Sequence, residues 1–333
     1  MSPLEVALLG AEQLASLTFA SGRFKYRYDA ETGQRHKGYN VLRHCGAIWS
    51  MLDVNESKLT KTEVGEASAR ATVYLQNEFV RFFKRQDRLC ILEDNSVKLG
   101  GIGLAILAML AQNKNAPDQI LTITIERLGQ YILADQDDDG DFIHKRFFKS
   151  EKVSAFRSGY YTGEALLALL ALYESTKDKV WLDAVIKCED YLCPQNYGVA
   201  EQSHWMLYAL EKLCIHQPND EYYKHSCDIA RHILDHPAYR ESGRSTPLAC
   251  RSEGLLAFLR TTPTSKAVED ENLRERCLEV VKENLALQIE FRTADGAFIR
   301  GGGDRRHNEV RIDYTQHNIS SFLQYSRLAD QQA

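Results

Sequence analysis

Proline is scarce, seven in 333 residues, and no stretch is rich in Pro, Gly and Ser together. With so few residues that fix φ and remove a backbone donor, long helices are free to run. Nothing marks a linker that would cut the chain, so one domain over residues 1–333 is expected. Apolar runs of the roughly 18 residues that a membrane span needs are also missing, so no membrane partner is expected. A basic excess is absent as well: 41 Lys and Arg stand against 46 Asp and Glu, for a net charge of −5. No Lys/Arg stripe interleaved with aromatics is present either, so nothing supplies a field for a phosphate backbone, and nucleic acid is not an expected partner. The first twenty residues are apolar but lack the basic start of a signal peptide. Glu5 and Glu12 interrupt them at helical spacing, and they read as an amphipathic first helix. The eight cysteines include no CxxC pair. They read as small buried hydrophobes in a reducing compartment, with the cytoplasm as the expected location.

What is present is helical periodicity. With 44% hydrophobic and 26% charged residues, helix-like segments fall near residues 4–19, 40–54, 60–84, 101–113, 117–134, 161–176, 179–193, 201–215, 220–236, 246–261, 267–290 and 315–328. They alternate in character. The odd-numbered ones carry mixed charge; the even-numbered ones are rich in Ala, Gly, Leu and aromatics, as in Gly163-Glu164-Ala165-Leu166-Leu167. Solvated helices alternating with buried ones, in six pairs, are what a closed double ring of helical hairpins requires, because each inner helix buries both flanks against its neighbours. A turn of the form Gly-x-Phe precedes three of the inner helices: Gly22-Arg23-Phe24, Gly140-Asp141-Phe142 and Gly296-Ala297-Phe298. Each sits in a segment of period-2 character that predicts a short β-hairpin over the ring. The fold class read from this pattern is all-α, a ring of six helical hairpins with short β-hairpins in the connections.

Two glycine- or acid-rich stretches invite a ligand and do not support one. Asp135-Gln136-Asp137-Asp138-Asp139-Gly140-Asp141 begins like a Ca²⁺ loop, but the position of its bidentate carboxylate falls on Arg146. Its likeness to the Asp-x-Asp-Asp of terpene cyclases overlaps the Gly-x-Phe turn, and a solvated hairpin turn is the simpler reading. Gly301-Gly302-Gly303-Asp304 lacks the preceding strand and helix-opening pattern of a nucleotide loop. It reads as a flexible lip, with Arg305 and Arg306 beside it. No metal site and no organic cofactor are expected.

The densest cluster of chemistry-bearing residues is Arg311-Ile312-Asp313-Tyr314-Thr315-Gln316-His317-Asn318, where a polar loop becomes an amphipathic helix. Asp313 can serve there as an N-cap, and the same turn can present a carboxylate, a phenol and an imidazole to a pocket. The hairpin repeat resembles the (α/α)6-toroid superfamily of six-hairpin glycosidases, polysaccharide lyases and sugar epimerases. This local stretch, together with the helix from Gly163 to Asp178, resembles the C-terminal domain of D-glucuronyl C5-epimerases. The resemblance implies a pocket at the end of the ring where the inner helices begin.

The polar residues at those junctions are therefore the candidates. For substrate binding they are Tyr39, Arg43 and His44; Tyr160 and Tyr161; His204 and Trp205; and Arg251. For catalysis they are Glu164, Glu201, Glu253, Asp313, Tyr314 and His317. Aromatic faces stack on the C–H faces of a pyranose, and arginines clamp a carboxylate, although core packing and internal salt bridges would use the same residues. Glycoside hydrolysis needs two carboxyl groups flanking a bond, which Asp313 with Glu164, Glu201 or Glu253 would supply. Epimerisation or elimination at a uronate needs a base and an acid instead, for which Tyr314, His317, His44 and His204 are available. A carbohydrate-active enzyme acting on a small or oligomeric saccharide is the expectation. A non-catalytic ring that binds a protein or peptide, and a small terpene-cyclase-like enzyme, are its rivals.

Overall fold

The computed structural model describes residues 1–83, 88–263 and 270–332. Thirteen α-helices form among them, twelve of which pair as six hairpins. These run α1 (Pro3–Ser16) to α2 (Val41–Asn55), α3 (Thr62–Phe79) to α4 (Leu99–Asn115), and α5 (Gln119–Ala134) to α6 (Tyr161–Thr176). They continue with α7 (Lys179–Leu192) to α8 (His204–His216), α9 (Asp220–Asp235) through the one-turn α10 (Ala238–Glu241) to α11 (Ser245–Arg260), and α12 (Glu271–Ile289) to α13 (Ile312–Gln332).

The second helix of each hairpin belongs to an inner ring in which α2, α4, α6, α8, α11 and α13 pack in that order, and α13 returns to α2. The sequence character explains the partition. In α4 every residue from Leu99 to Met109 is buried, and in α6 every residue from Thr162 to Leu170, since a helix flanked on both sides and backed by an outer helix has no wet face. Close approach between inner helices is steric: a β-carbon on Gly103 would sit 2.6 Å from the Glu164 carbonyl oxygen of the next helix. The outer helices are amphipathic. In α9, Tyr222, Tyr223, Ile229 and Ile233 face inward while charged residues face out. Side chains from Ser2, Asn40, Asp118, Asp178, Ser203, Asn219 and Asp270 cap helix N-termini and satisfy their orphan N–H groups.

The three Gly-x-Phe turns adopt one geometry. Gly22, Gly140 and Gly296 all have positive φ, and bridges join Thr18 to Phe24, Gln136 to Phe142 and Arg292 to Phe298. Each phenylalanine is fully buried. The connections also carry short strands. β1 (Arg27–Asp29) pairs antiparallel with β6 (Glu309–Arg311), tying the first connection to the last, and β2 (Val80–Phe83), β3 (Arg88–Glu93), β4 (Ser96–Lys98) and β5 (Lys145–Phe147) form a four-stranded antiparallel sheet.

Two expected boundaries are corrected. The third helix stops at Phe79 rather than running on, because Val80–Phe83 pairs with β3. The last helix begins at Ile312, directly from β6, and not near residue 315. Asp313 therefore lies inside the first turn, where both carboxylate oxygens are taken by arginines, and it is not the N-cap. Residues 84 and 267–269, at the ends of two expected helices, lie outside the described residues. All eight cysteines are unpaired, and seven of them are buried. No helix among the described residues is long and apolar enough to cross a membrane.

Candidate active site

The first turns of the inner helices converge on one end of the ring, and a cavity of about 520 Å³ opens there. α2 contributes Asn40 and Arg43, α6 contributes Tyr161 and Glu164, α8 contributes His204 and Trp205, α11 contributes Thr246, Cys250 and Arg251, and α13 contributes Asp313, Tyr314, Gln316 and His317. Of the residues singled out from sequence, Arg43, Tyr160, Tyr161, Glu164, His204, Trp205, Arg251, Asp313, Tyr314 and His317 are brought together in its wall.

At the floor two imidazoles meet edge to face. The ring centroids of His204 and His317 lie 5.4 Å apart, with planes at 81°. Their surroundings are opposite. His204 is 3% exposed, and neither ring nitrogen has a hydrogen-bond partner among the described residues. Burial, with the positive charges of His317 and Arg251 nearby, pushes its pKa well below the usual value, so it stands neutral. His317 instead places Nδ1 2.8 Å from Oε1 of Glu253. Burial alone would lower its pKa, but Cys250 and the Glu253 carboxylate outweigh burial and hold it well above the usual value. Glu253 is wholly buried behind the histidine, and its other oxygen accepts from the Tyr208 hydroxyl at 2.9 Å.

The two cavity carboxyls also differ. Glu164 is 5% exposed, its Oε2 has no partner, and burial lifts its pKa to about 8 against the opposing effect of His317. It keeps its proton at neutral pH. Asp313 receives Nε and Nη2 of Arg311 at 2.6 and 2.9 Å and Nε of Arg43 at 3.0 Å. Burial raises its pKa, but the Arg311 and Arg43 guanidiniums prevail and hold it below the usual carboxylate range. Arg43 is thus the internal salt bridge that the sequence allowed. Arg251 pairs with no carboxylate among the described residues: its Nε donates to Gln202 Oε1 at 2.9 Å, and its guanidinium lies 5.7 Å from the Tyr239 ring centroid. Tyr314 donates to Glu309 at 3.0 Å. Tyr160, 38% exposed at the rim, is the aromatic face left open to a ligand, since Trp205 is 4% exposed and packed against Trp49 and Tyr208.

Four of the singled-out residues do not line the cavity. His44 is fully buried, holds Tyr39 Oη on Nδ1 at 2.8 Å and donates from Nε2 to the Ala71 carbonyl at 2.9 Å. Tyr39 in turn accepts the Phe24 N–H, so the pair pins the first hairpin onto α3. Glu201 is exposed and rests on Gly159 outside the wall, and Glu253 reaches the cavity only through His317. The acidic turn lies elsewhere: Asp135 is bound to Arg146 and Asp141 to Arg157.

Residues that sequence reasoning missed are Arg244, Arg300, Cys250 and Gln316. The glycines at 301–303, all with positive φ, bend the chain so that Arg300 and Arg306 both face the cavity. Those glycines were the only signal that could have found them. Among the described residues, two groups of side chains place three donor atoms within 4.8 Å of one another, as a metal ion would need: His204, Cys250 and His317 in the cavity, and Glu189, Cys193 and His225 between α7 and α9.

No protein-family model matches the chain, and a search of curated proteins gives no match. Among solved structures it is similar to a D-mannose isomerase, at 12% identity over 97% of each chain with a TM-score of 0.73. It is also similar to an unsaturated glucuronyl hydrolase specific for heparin, at 12% identity over 98% of this chain and 97% of that one, with a TM-score of 0.70. An alpha-1,6-mannanase from Salegentibacter sp. HEL1_6 is similar at 13% identity over 98% of this chain and all of that one, with a TM-score of 0.68. These likenesses establish the fold: the chain is an (α/α)6 toroid.

Proposed function

We propose that this chain is a carbohydrate-active enzyme, and specifically a sugar isomerase that moves a proton between adjacent carbons of a monosaccharide. The observation that carries the reading is the edge-to-face pair at the cavity floor, one imidazole buried with neither nitrogen hydrogen-bonded, the other bonded to a buried carboxyl, surroundings that push their pKa values in opposite directions. A general base must be unprotonated and a general acid protonated at the same pH, and opposed environments are how one site holds both. His204 takes the proton from the carbon next to the carbonyl. His317 donates to the carbonyl oxygen as the enediol forms; His204 then delivers its proton to the former carbonyl carbon while His317, now neutral, takes the proton of the neighbouring hydroxyl, whose oxygen becomes the new carbonyl, so both imidazoles end as they began. Glu253 positions His317 and sustains its charge.

Ring centroids 5.4 Å apart leave no room for a pyranose between the two imidazoles. Both therefore act on one face of the substrate, which suits a 1,2-proton shift. Epimerisation needs groups on opposite faces. Hydrolysis needs a second free carboxylate beside Glu164, whereas Asp313 is held by two arginines and Glu253 lies behind His317. The name of the similar D-mannose isomerase agrees with this choice, as the names of the hydrolases agree with the broader one. A charged, open cavity also fits a sugar better than an isoprenoid, and the unpartnered Glu164 and His204 fit catalysis better than a passive protein-binding ring.

The test is solvent exchange. Aldohexoses, beginning with D-mannose, incubated in D2O with the protein should gain deuterium at the carbon next to the carbonyl and yield ketose by NMR. Replacing His204 or His317 by Gln should lower the rate by about 10²–10⁴ with the fold intact. Glucuronides and manno-oligosaccharides that are cleaved while no hexose exchanges would sink the isomerase reading.

A further inference from the structure

Charge in the cavity wall is lopsided in a way that neither the chain's composition nor proton transfer explains. The protein carries a net charge of −5, yet six arginines, Arg43, Arg244, Arg251, Arg300, Arg306 and Arg311, line a cavity whose carboxyls are Glu164 and Asp313 alone. Glu164 is protonated at neutral pH, and Asp313 is consumed by Arg43 and Arg311. The remaining arginines gather on one side. Arg244 precedes α11, and Arg300 and Arg306 flank the glycine turn; a β-carbon on Gly302 would lie 3.2 Å from Cγ of Arg244 and 3.3 Å from Nη1 of Arg300. Arg300 is 9% exposed and reaches the half-exposed Asp304 and the Gly301 carbonyl, the Arg306 charge acts on that same Asp304 without a side-chain hydrogen bond or ion pair, and Arg244 has no side-chain hydrogen bond or ion pair among the described residues. On the same wall the Thr246 hydroxyl, in the first turn of the 16-residue helix α11, is buried without a partner. Like charges held together repel unless an anion compensates them, and guanidinium forks with a hydroxyl at a helix N-terminus are suited to an oxyanion.

We propose that the substrate is a monosaccharide bearing an oxyanion, an ester phosphate or a carboxylate, and that Arg244, Arg300 and Arg306 bind it away from the imidazoles. This rests on the isomerase reading for where the reacting carbons lie. The cavity volume accommodates one anionic sugar.

Calorimetric titration of the full chain with D-mannose, D-mannose 6-phosphate and D-mannuronate tests it. At least one anionic sugar should bind about tenfold or more tightly than mannose, with affinity falling as salt rises, and the tighter of the two identifies the oxyanion. In Arg244→Gln/Arg306→Gln that advantage should shrink to about twofold or less. Arg231→Gln, on the outer face of α9, serves as the charge control and should retain it. Should the double variant fail to fold, Arg306→Gln alone, on the exposed turn, should lose at least about threefold. Equal binding of all three sugars, or an anionic preference untouched by the arginine changes, overturns the proposal. Affinity does not depend on turnover for its readout, so an anionic preference without deuterium exchange defeats only the isomerase reading. Exchange without an anionic preference defeats only this one.

Discussion

Glu164 holds its proton because burial outweighs the one nearby charge that favours its ionised form. Tyr161 and Gly100 pack against it, its Oε2 has no partner, and His317 is the one cation that pulls its pKa down. A carboxyl whose pKa is about 8 in the folded chain and near 4.5 in the unfolded one favours folding in full below pH 4.5. That contribution is lost as pH rises from 4.5 to 8, because the unfolded state releases the proton first. Roughly 3 kcal/mol of it should be gone by pH 7. Glu164→Gln, which keeps the neutral shape, should therefore lose less melting temperature than the parent between pH 5 and 8. Parallel melting curves for the two proteins across that range would show that the carboxyl is ionised in the fold. Glu164, His204 and His317 were legible in sequence as polar positions at the start of apolar helices. Their roles were not, because protonation follows from distances between α6, α8, α11 and α13, which no spacing along the chain encodes. His44 and His204 illustrate this. Both are histidines near the start of an inner helix, and one is fully satisfied by Tyr39 and Ala71 while the other is buried in the cavity wall with neither nitrogen hydrogen-bonded among the described residues.

The Gly-x-Phe turn is the element that recurs, and its glycine serves two purposes. Gly140 has φ +110, which an L side chain rarely adopts, and a β-carbon there would lie 2.4 Å from the Lys187 carbonyl oxygen on α7. Gly22 meets Arg70 of α3 and Gly296 meets Leu9 of α1 in the same manner, so each turn docks its hairpin on the following outer helix. Gly33 also has positive φ, +70, but a β-carbon there meets nothing within 4 Å. Backbone strain alone costs about 1–2 kcal/mol, and a clash with a neighbouring backbone adds to it. Gly140→Ala should thus destabilise by about 3 kcal/mol or more in urea unfolding, and Gly33→Ala by about 1 kcal/mol. Equal losses would mean that the docking contact contributes nothing. The repeat and the alternation of helices were readable because buried inner helices must be apolar all round. The β2–β3 hairpin was not, since Val80–Phe83 continues the apolar pattern of α3 and only pairing with β3 separates them. Arg244 and Arg300 escaped notice for a related reason: 55 residues part them in sequence, and the bridge from Arg244 to Gly301 brings them together.

At the scale of the whole molecule, the ring has no free end. α13 packs on both α1 and α2, β6 pairs with β1, and Arg327 of α13 bonds Asp53 of α2 at 2.7 Å, so first and last hairpins depend on each other as much as sequence neighbours do. An open array of hairpins can fray from its termini, because each unit needs only one neighbour. A closed ring cannot, since loss of any hairpin exposes the apolar flanks of the two beside it. The single domain expected from sequence has a measurable consequence. Trp49 and Trp205 report on the inner ring, where their centroids lie 5.8 Å apart, and Trp181 reports on the outer helix α7. In urea, fluorescence of Trp181→Phe, which sees the inner ring alone, should follow the same single transition as far-ultraviolet circular dichroism of the whole chain, with the same midpoint and slope. Two separated transitions, with helix content lost before the inner tryptophans respond, would mean that part of the ring unfolds by itself. Occupancy of the cavity should move that one midpoint as a whole, because its wall is built from the starts of α2, α6, α8, α11 and α13 and no single hairpin owns it.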